Sequence, residues 1–139
     1  MKGRMLKKLA VMFACMAMLC ASVTTAFASY GVMPCYDVVS YADACVEVSA
    51  DGELMIATEY AGDSSVTKAV ITTCIEKKTL LFFWSDEAEW SDTIYSSSYS
   101  GTDSYQLPEE GTYRVTVTFE VYGSDGSVDT ITSESEVEW

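Results

Sequence analysis

The chain contains no histidine and no asparagine among its 139 residues. Without an imidazole base, neither a Ser-His-Asp nor a Cys-His-Asn catalytic arrangement can form. Zinc sites that use histidine are excluded, and so is every acceptor for Asn-linked glycosylation. Basic residues are also scarce, eight against 21 acidic ones, which gives a net charge of −13. The chemistry that remains open is that of carboxylates and of metals with oxygen ligands.

The first 28 residues are ordered as a secretory signal peptide. A basic start made of Lys2, Arg4, Lys7 and Lys8 is followed by a polar-poor stretch at positions 9–21 and by the triplet Ala26-Phe27-Ala28, which has small residues at its first and third positions. The apolar stretch is shorter than a membrane span requires. We therefore expect cleavage after Ala28, and a secreted, extracellular mature protein that begins at Ser29 and ends at Trp139.

Cleavage there makes the protein strongly acidic. It removes four of the eight basic residues and none of the acidic ones, which leaves a net charge of −17. Nucleic-acid binding needs clustered cations that displace counterions from phosphates, so no nucleic-acid partner is expected. Anionic membrane surfaces are disfavoured for the same reason, and we expect no membrane contact after the leader is removed.

The mature chain carries three cysteines, Cys35, Cys45 and Cys74. Three thiols cannot make a four-cysteine zinc site, and an odd number in an exported protein predicts one disulfide with one thiol left over. Cys45–Cys74 is the first pairing to consider. The apolar alternation places both side chains away from the core, so this bond requires neighbouring strands in one sheet or a bulge. Reduced or differently paired cysteines remain open.

From residue 38 onward the apolar residues alternate with a period of two, which is typical of β-strands. Turn signals such as Asp51-Gly52, Gly62-Asp63 and Gly123–Gly126 separate the apolar segments. The pattern predicts strands at Ala44–Ser49, Glu53–Tyr60, Thr67–Lys77, Leu80–Trp84, Thr93–Ser98, Ser104–Leu107, Tyr113–Tyr122 and Val128–Val137. Seven to eight short strands in about 100 residues favour an all-β fold, a single antiparallel β-sandwich.

The best strand is Tyr113–Tyr122, in which every second residue from Tyr113 to Val121 is apolar. The segment Leu107–Tyr113 before it resembles the corner that leads into the sixth strand of immunoglobulin-like and fibronectin type III-like domains, where a Tyr hydrogen-bonds back to the backbone. Residues 80–139 are also similar to small secreted immunoglobulin-like proteins of Firmicutes, whose function is not established. Val115 stands where immunoglobulins have their second disulfide cysteine. The resemblance therefore leans towards fibronectin-like relatives and implies no core disulfide.

The predicted organisation is a signal peptide at 1–28, an N-terminal extension at 29–43 and an immunoglobulin-like β-sandwich at 44–139. Two segments inside the sandwich are candidates for function. Trp84–Asp92 holds four carboxylates and two tryptophans, which suit a calcium loop or a sugar-stacking platform. A solvated acidic loop that caps two half-buried tryptophans explains it as well. Leu80–Trp84 is apolar on both faces, as in a strand covered on both sides or one that contacts a partner.

The carboxylates of Asp125 and Asp129 on either side of Gly126 could ligate calcium, but a Ser-Asp-Gly-Ser turn needs no metal to explain it. No catalytic, cofactor-binding or metal-ligating residue is assigned, and no cofactor is expected. The sequence favours a secreted, non-enzymatic binding or adhesion protein whose partner is an extracellular protein or glycan. The alternative is a small calcium-dependent or carboxylate-based carbohydrate-active module that uses Trp84–Asp92.

Overall fold

A computed structural model describes residues 36–139, so the predicted leader and Cys35 lie outside the described residues. Seven β-strands follow one another along the described chain: β1 (Val39–Val48), β2 (Glu53–Gly62), β3 (Val66–Thr79), β4 (Phe83–Ile94), β5 (Ser98–Gln106), β6 (Thr112–Gly123) and β7 (Val128–Glu138). Residues 36–139 contain no helix long and apolar enough to cross a membrane.

The strands form two antiparallel sheets, one in the order β1-β2-β5 and the other in the order β4-β3-β6-β7. The chain crosses between the sheets after β2, after β4 and again after β5. This is the antiparallel, immunoglobulin-like β-sandwich that the sequence predicts, with the lower of the two expected strand numbers.

The core follows from the alternation in β6. Five inward side chains of this strand are at most 1% exposed: Tyr113, Val115, Val117, Phe119 and Val121. They are the five that the sequence pattern assigned to one face. Side chains from β2 and β3 complete the centre of the core: Leu54, Ile56, Tyr60, Ala69, Ile71 and Ile75. Each large apolar side chain buried in this way contributes about 1.5–3 kcal/mol before the entropy of ordering is subtracted.

Tyr113 is the corner residue that the sequence predicts. Its ring is fully buried, and its hydroxyl donates a 2.6 Å hydrogen bond to the carbonyl oxygen of Glu109. Gly111 lies between the two with φ 156°, a positive value that residues with a side chain rarely adopt. The hydroxyl of a second buried tyrosine, Tyr60, likewise donates a hydrogen bond, at 2.7 Å, to the carbonyl oxygen of Ser96. Both phenols can enter the core because each hydroxyl keeps a partner.

The start of β1 is held to β7 by a buried carboxylate. Asp129 is 8% exposed and accepts hydrogen bonds from three successive backbone N–H groups, those of Asp37, Val38 and Val39, at 3.1, 2.8 and 3.0 Å. Burial raises the pKa of Asp129, but the three donors together lower it by more, so the net pKa lies below that of an ordinary aspartate. The carboxylate that the sequence offered as a possible calcium ligand therefore ties two strands together.

The two cysteines of the described residues, Cys45 and Cys74, are not bonded to each other. Cys45 lies in β1 and Cys74 in β3, which belong to different sheets, and both are free thiols. The neighbours of Cys74, Thr73 and Ile75, are buried, so the thiol points to the outer face. The Cys45–Cys74 bridge is therefore wrong, and the alternation that argued against it is confirmed. Any pairing of Cys35 falls outside the described residues.

Four strand predictions need correction. The strand predicted at Ser104–Leu107 begins earlier, because β5 runs over Ser98–Gln106. The first strand begins at Val39 rather than Ala44, so it includes residues 39–43 of the expected N-terminal extension. The predicted strands Leu80–Trp84 and Thr93–Ser98 do not exist as such. Residues 80–82 form a turn, and one long strand, β4, replaces the predicted acidic loop. Alternation is hard to read there because the bulge in the β3–β4 pairing between Ile75 and Glu76 changes which residues face inward. Only Ala88, Trp90 and Ile94 of this strand pack against the core, and polar residues surround them in the sequence.

The turn predicted at Asp51-Gly52 is confirmed, and it shows why glycine is needed. Gly52 has φ 78°, and a Cβ atom there would collide with the ring of Trp139. The Trp139 ring nitrogen in turn donates to the carbonyl oxygen of Ala50 at 3.2 Å. The turn and the last residue of the chain therefore pack as one unit at this end of the sandwich.

Candidate functional site

The most unusual surface of the described chain is the hairpin between β3 and β4. β3 pairs with β6 only as far as Lys77 and Tyr113, whereas its pairing with β4 continues to Thr79 and Phe83. The last residues of this hairpin therefore extend beyond the strand that flanks them. β4 is an edge strand, so no strand covers the hairpin on its other side.

Four consecutive apolar side chains occupy the end of this hairpin, and we call Leu80–Phe83 the apolar tip. Leu80, Leu81, Phe82 and Phe83 are 85%, 81%, 83% and 65% exposed. The other large exposed hydrophobic residues of the described chain are separate in sequence: Tyr41, Met55, Tyr95 and Val128. Single exposed apolar residues are ordinary, whereas a contiguous apolar patch marks a site of interaction.

The backbone of the apolar tip is also unfavourable. Leu80 has φ 49°, and it is the non-glycine residue with positive φ in the described chain. Glycine or asparagine usually occupies such a position, because a bulky side chain there is strained. A leucine in this turn serves neither turn formation nor burial, which indicates that its side chain is kept for another reason.

The structure removes one of the two interpretations of Leu80–Trp84, and contact with a partner stays a prediction. Coverage on both faces is wrong, because the apolar tip is exposed. The sequence pattern predicted a strand because five apolar residues in succession are typical of a buried one. A sharper signal was present in the flanking Lys77-Lys78 and Asp86-Glu87, which place polar residues at both ends of a short apolar run, as expected for a projecting turn.

A cluster of aromatic and charged side chains lies immediately behind the apolar tip. The guanidinium of Arg114 lies 4.5 Å and the ammonium of Lys78 5.2 Å from the centre of the Trp84 ring. Arg114 also forms an ion pair with Glu76 at 2.6 Å. We call Trp84, Lys78, Arg114 and Glu76 the basal cluster. These cation–π contacts hold the indole in place at the last paired residues before the apolar tip, which we call the neck of the hairpin.

Lys77 supports the hairpin from the inner side. Its ammonium forms an ion pair with Glu109 at 2.5 Å and lies 5.7 Å from the centre of the Tyr113 ring. The hydrogen bond to Glu109 raises the pKa of Lys77, so the lysine stays charged at neutral and mildly alkaline pH. The Tyr113 corner and the neck of the hairpin are therefore in contact.

The segment Trp84–Asp92 does not form the sugar-stacking platform that its composition suggested. Bulged pairing near Ile75 puts Trp84 and Trp90 on opposite faces of the sheet. Trp84 belongs to the basal cluster, whereas Trp90 stacks on Tyr105 of the other sheet with ring centres 6.3 Å apart. The two indoles cannot stack on one sugar ring.

The carboxylates of this segment are also divided. In the register of β3 and β4, Asp86 lies opposite Glu76 and Glu89 lies opposite Cys74, both on the outer face of the sheet. Glu87 instead accepts a hydrogen bond from the Tyr105 hydroxyl at 3.1 Å. Within residues 36–139, no three acidic or cysteine side chains are grouped so as to hold a metal ion. The convergence of oxygens that a calcium site requires is thus not formed by this segment.

Calcium is therefore expected to leave the thermal stability unchanged. Melting temperatures measured with calcium, with magnesium and with chelator at matched ionic strength should coincide, because both cations then only screen surface charge. A rise specific to calcium that disappears in Asp86→Ala and Glu89→Ala would show that this segment binds the ion, since binding stabilises the native state by mass action.

The half-buried thiol of Cys74 is not activated for chemistry. Burial raises its pKa, and the carboxylates of Glu76, Glu89 and Asp86 raise it further, against a smaller lowering by Arg114. The thiol is therefore protonated at neutral pH and is a poor nucleophile. The apolar tip and its basal cluster remain the candidate functional site.

No protein-family model matches the chain, and a search of curated proteins found none similar to it.

Proposed function

We propose that this protein is a secreted, non-enzymatic adhesion protein that attaches to an extracellular surface through the apolar tip. The observation that supports this is the exposure of four consecutive apolar side chains at the end of a hairpin that the fold holds away from its neighbours. Exposed apolar surface of this kind is unfavourable in water, and its removal from water on contact supplies the free energy of attachment.

The chemistry of the tip bears on the kind of surface. Leucine and phenylalanine side chains offer no hydrogen-bond donor or acceptor, so a glycan would find few polar partners here. The strong negative charge of the mature chain excludes nucleic acid from the proposal. Attachment is therefore expected to be apolar in character and weakly dependent on salt.

Attachment to intact animal cells, whose plasma membrane has no cell wall outside it, is expected to be lost in the double variant Leu81→Ser/Phe82→Ser. The exported protein is incubated with cells, and the protein retained after washing is quantified by immunoblot. Tyr95→Ser is the matched control, because Tyr95 is an equally exposed aromatic residue, 80% accessible, in the turn after β4 at the other end of the hairpin. Equal retention of the wild type and the double variant would show that the apolar tip is not the attachment site.

A further inference from the structure

We infer that the surface recognised by the apolar tip is an electrically neutral lipid bilayer, into whose interfacial region Leu80–Phe83 insert. This inference rests on the proposed function and names its partner. It depends on the shape of the tip, the side chains at its base and the distribution of charge around it.

The shape of the apolar tip is convex. The side chains follow one another around a three-residue turn, and the least exposed of the four is still 65% accessible. They therefore face water on several sides of the hairpin rather than on one flat face. A bilayer surrounds an inserted turn on all sides and removes every one of these side chains from water. A protein partner would need a deep apolar pocket to do the same.

The basal cluster has the composition of a membrane-interface belt. Trp84 follows the apolar tip directly, with Lys78 and Arg114 in contact with its ring. Tryptophan prefers the level of the lipid headgroups, because its ring is apolar while its N–H group needs a polar partner. Lysine and arginine at the same level extend their charged ends into water while their aliphatic stems remain in apolar surroundings.

The charges behind the tip select a neutral bilayer. Lys77 is paired with Glu109 and Arg114 with Glu76, so neither cation offers much attraction to anionic headgroups. Lys78, whose ammonium lies over the Trp84 ring, forms no ion pair among the described residues and is the one cation at this place that attracts them. The exposed carboxylates of Asp86 and Glu110 add repulsion at the same end of the sandwich. The sequence-based expectation of no membrane contact rested on this negative charge, which opposes anionic lipids and has little effect on zwitterionic ones.

The same carboxylates limit the depth of insertion. Asp86 lies two residues after Trp84 and is exposed on the outer face of β4. A charged side chain that close to the neck stays in the headgroup region, because transfer of an ion into hydrocarbon is unfavourable. The tip is therefore expected to reach the boundary of the acyl chains, about 5–10 Å deep, and not to cross the bilayer.

The test is flotation of the exported protein with vesicles of phosphatidylcholine alone. Wild type is expected to float with the vesicles, and Leu81→Ser/Phe82→Ser to lose at least about tenfold in partitioning, since two large apolar side chains are removed. Tyr95→Ser is expected to float as the wild type does. Leu80→Gly removes one tip side chain while relieving the positive φ, so a loss of flotation with unchanged or higher melting temperature separates insertion from folding.

Fluorescence gives a second readout at the neck of the hairpin. The emission of Trp84 is expected to shift to shorter wavelength on addition of vesicles, and the shift should be absent in Trp84→Phe, which retains the other two of the three tryptophans. Replacement of part of the phosphatidylcholine by phosphatidylglycerol should weaken binding at low salt. Stronger binding to the anionic vesicles, reversed by salt, would overturn the inference in favour of electrostatic adsorption.

The remaining outcomes separate this inference from the proposed function. If the protein does not float with neutral vesicles but still attaches to cells through the apolar tip, and protease treatment of the cells abolishes attachment, the partner is a protein and the lipid inference is wrong. If flotation and tip-dependent attachment both fail, the inference and the proposed function are wrong together.

Discussion

Tyr113→Ala is expected to lower the free energy of unfolding by about 3 kcal/mol or more, because a large aromatic side chain is removed from the core. The ring is fully buried at the start of β6, and its truncation leaves a cavity between the two sheets. The substitution also removes the hydroxyl that satisfies the carbonyl oxygen of Glu109 at 2.6 Å. Urea unfolding monitored by circular dichroism measures the loss as a lower midpoint at unchanged slope.

Tyr113→Phe separates the two contributions. It keeps the ring and removes only the hydrogen bond, so the free energy of unfolding is expected to fall by about 0.5–1.5 kcal/mol. The decrease is larger if no water molecule replaces the hydroxyl as hydrogen-bond donor to the Glu109 carbonyl oxygen. Tyr95→Ala, which removes an exposed ring, is the matched control and should change stability by less than about 0.5 kcal/mol. An Ala variant at Tyr113 as stable as the wild type would show that the register of β6 is wrong.

Substitution of Asp129 is expected to have the second largest effect on stability. Asp129→Ala leaves three backbone N–H groups, those of Asp37, Val38 and Val39, without their acceptor. Because a buried donor left unpaired costs about 1–3 kcal/mol, and water can reach part of this site, the total loss should be on the order of 3 kcal/mol. Asp129→Asn keeps the shape but loses the charge, and should fall between Ala and wild type.

The contribution of Asp129 should depend on pH in a defined direction. Its pKa is lowered in the folded state, so its ionised form stabilises the fold fully above the ordinary aspartate pKa of about 3.9. The contribution is lost as the pH falls through the lowered folded value. The difference in unfolding free energy between the wild type and Asp129→Asn is therefore expected to be constant from pH 7 to about pH 5 and to shrink at lower pH.

Asp125 provides the control for this carboxylate. It too accepts hydrogen bonds, from the backbone N–H and the hydroxyl of Ser127, and these bonds lower its pKa. They stay within one exposed turn between β6 and β7, so Asp125→Ala should have a much smaller effect than Asp129→Ala. Equal unfolding midpoints for wild type and Asp129→Asn at pH 7 would contradict the role given to Asp129.

Lys77 connects the exposed apolar tip with the buried corner at Tyr113. This lysine contacts both Glu109 and the Tyr113 ring, and it lies shortly before the exposed hairpin end. In the attachment proposed above, contacts that restrict the hairpin beforehand would reduce the conformational freedom that it loses on binding. The net negative charge of the chain is expected to favour solubility despite the exposed apolar turn.

The sequence by itself determined the sandwich and its central strand. The alternation from Tyr113 to Val121 needs only the period of a strand to assign its buried face, and the Gly-containing corner before it identified Tyr113. Both signals are local, because they depend on residues within one strand or one turn. The outward direction of the Cys74 side chain could be predicted for the same reason, because Cys74 alternates with buried neighbours in its strand.

Only the tertiary structure decided where the apolar run at residues 80–84 lies. A run of apolar residues is equally consistent with a buried strand and a projecting turn, and the difference lies in the strand beside it: β6 begins too late to cover the hairpin end. The role of Asp129 was hidden in the same way, because its three donors lie about 90 residues away in sequence. Contacts between distant segments carry no local pattern, so only folding brings them together.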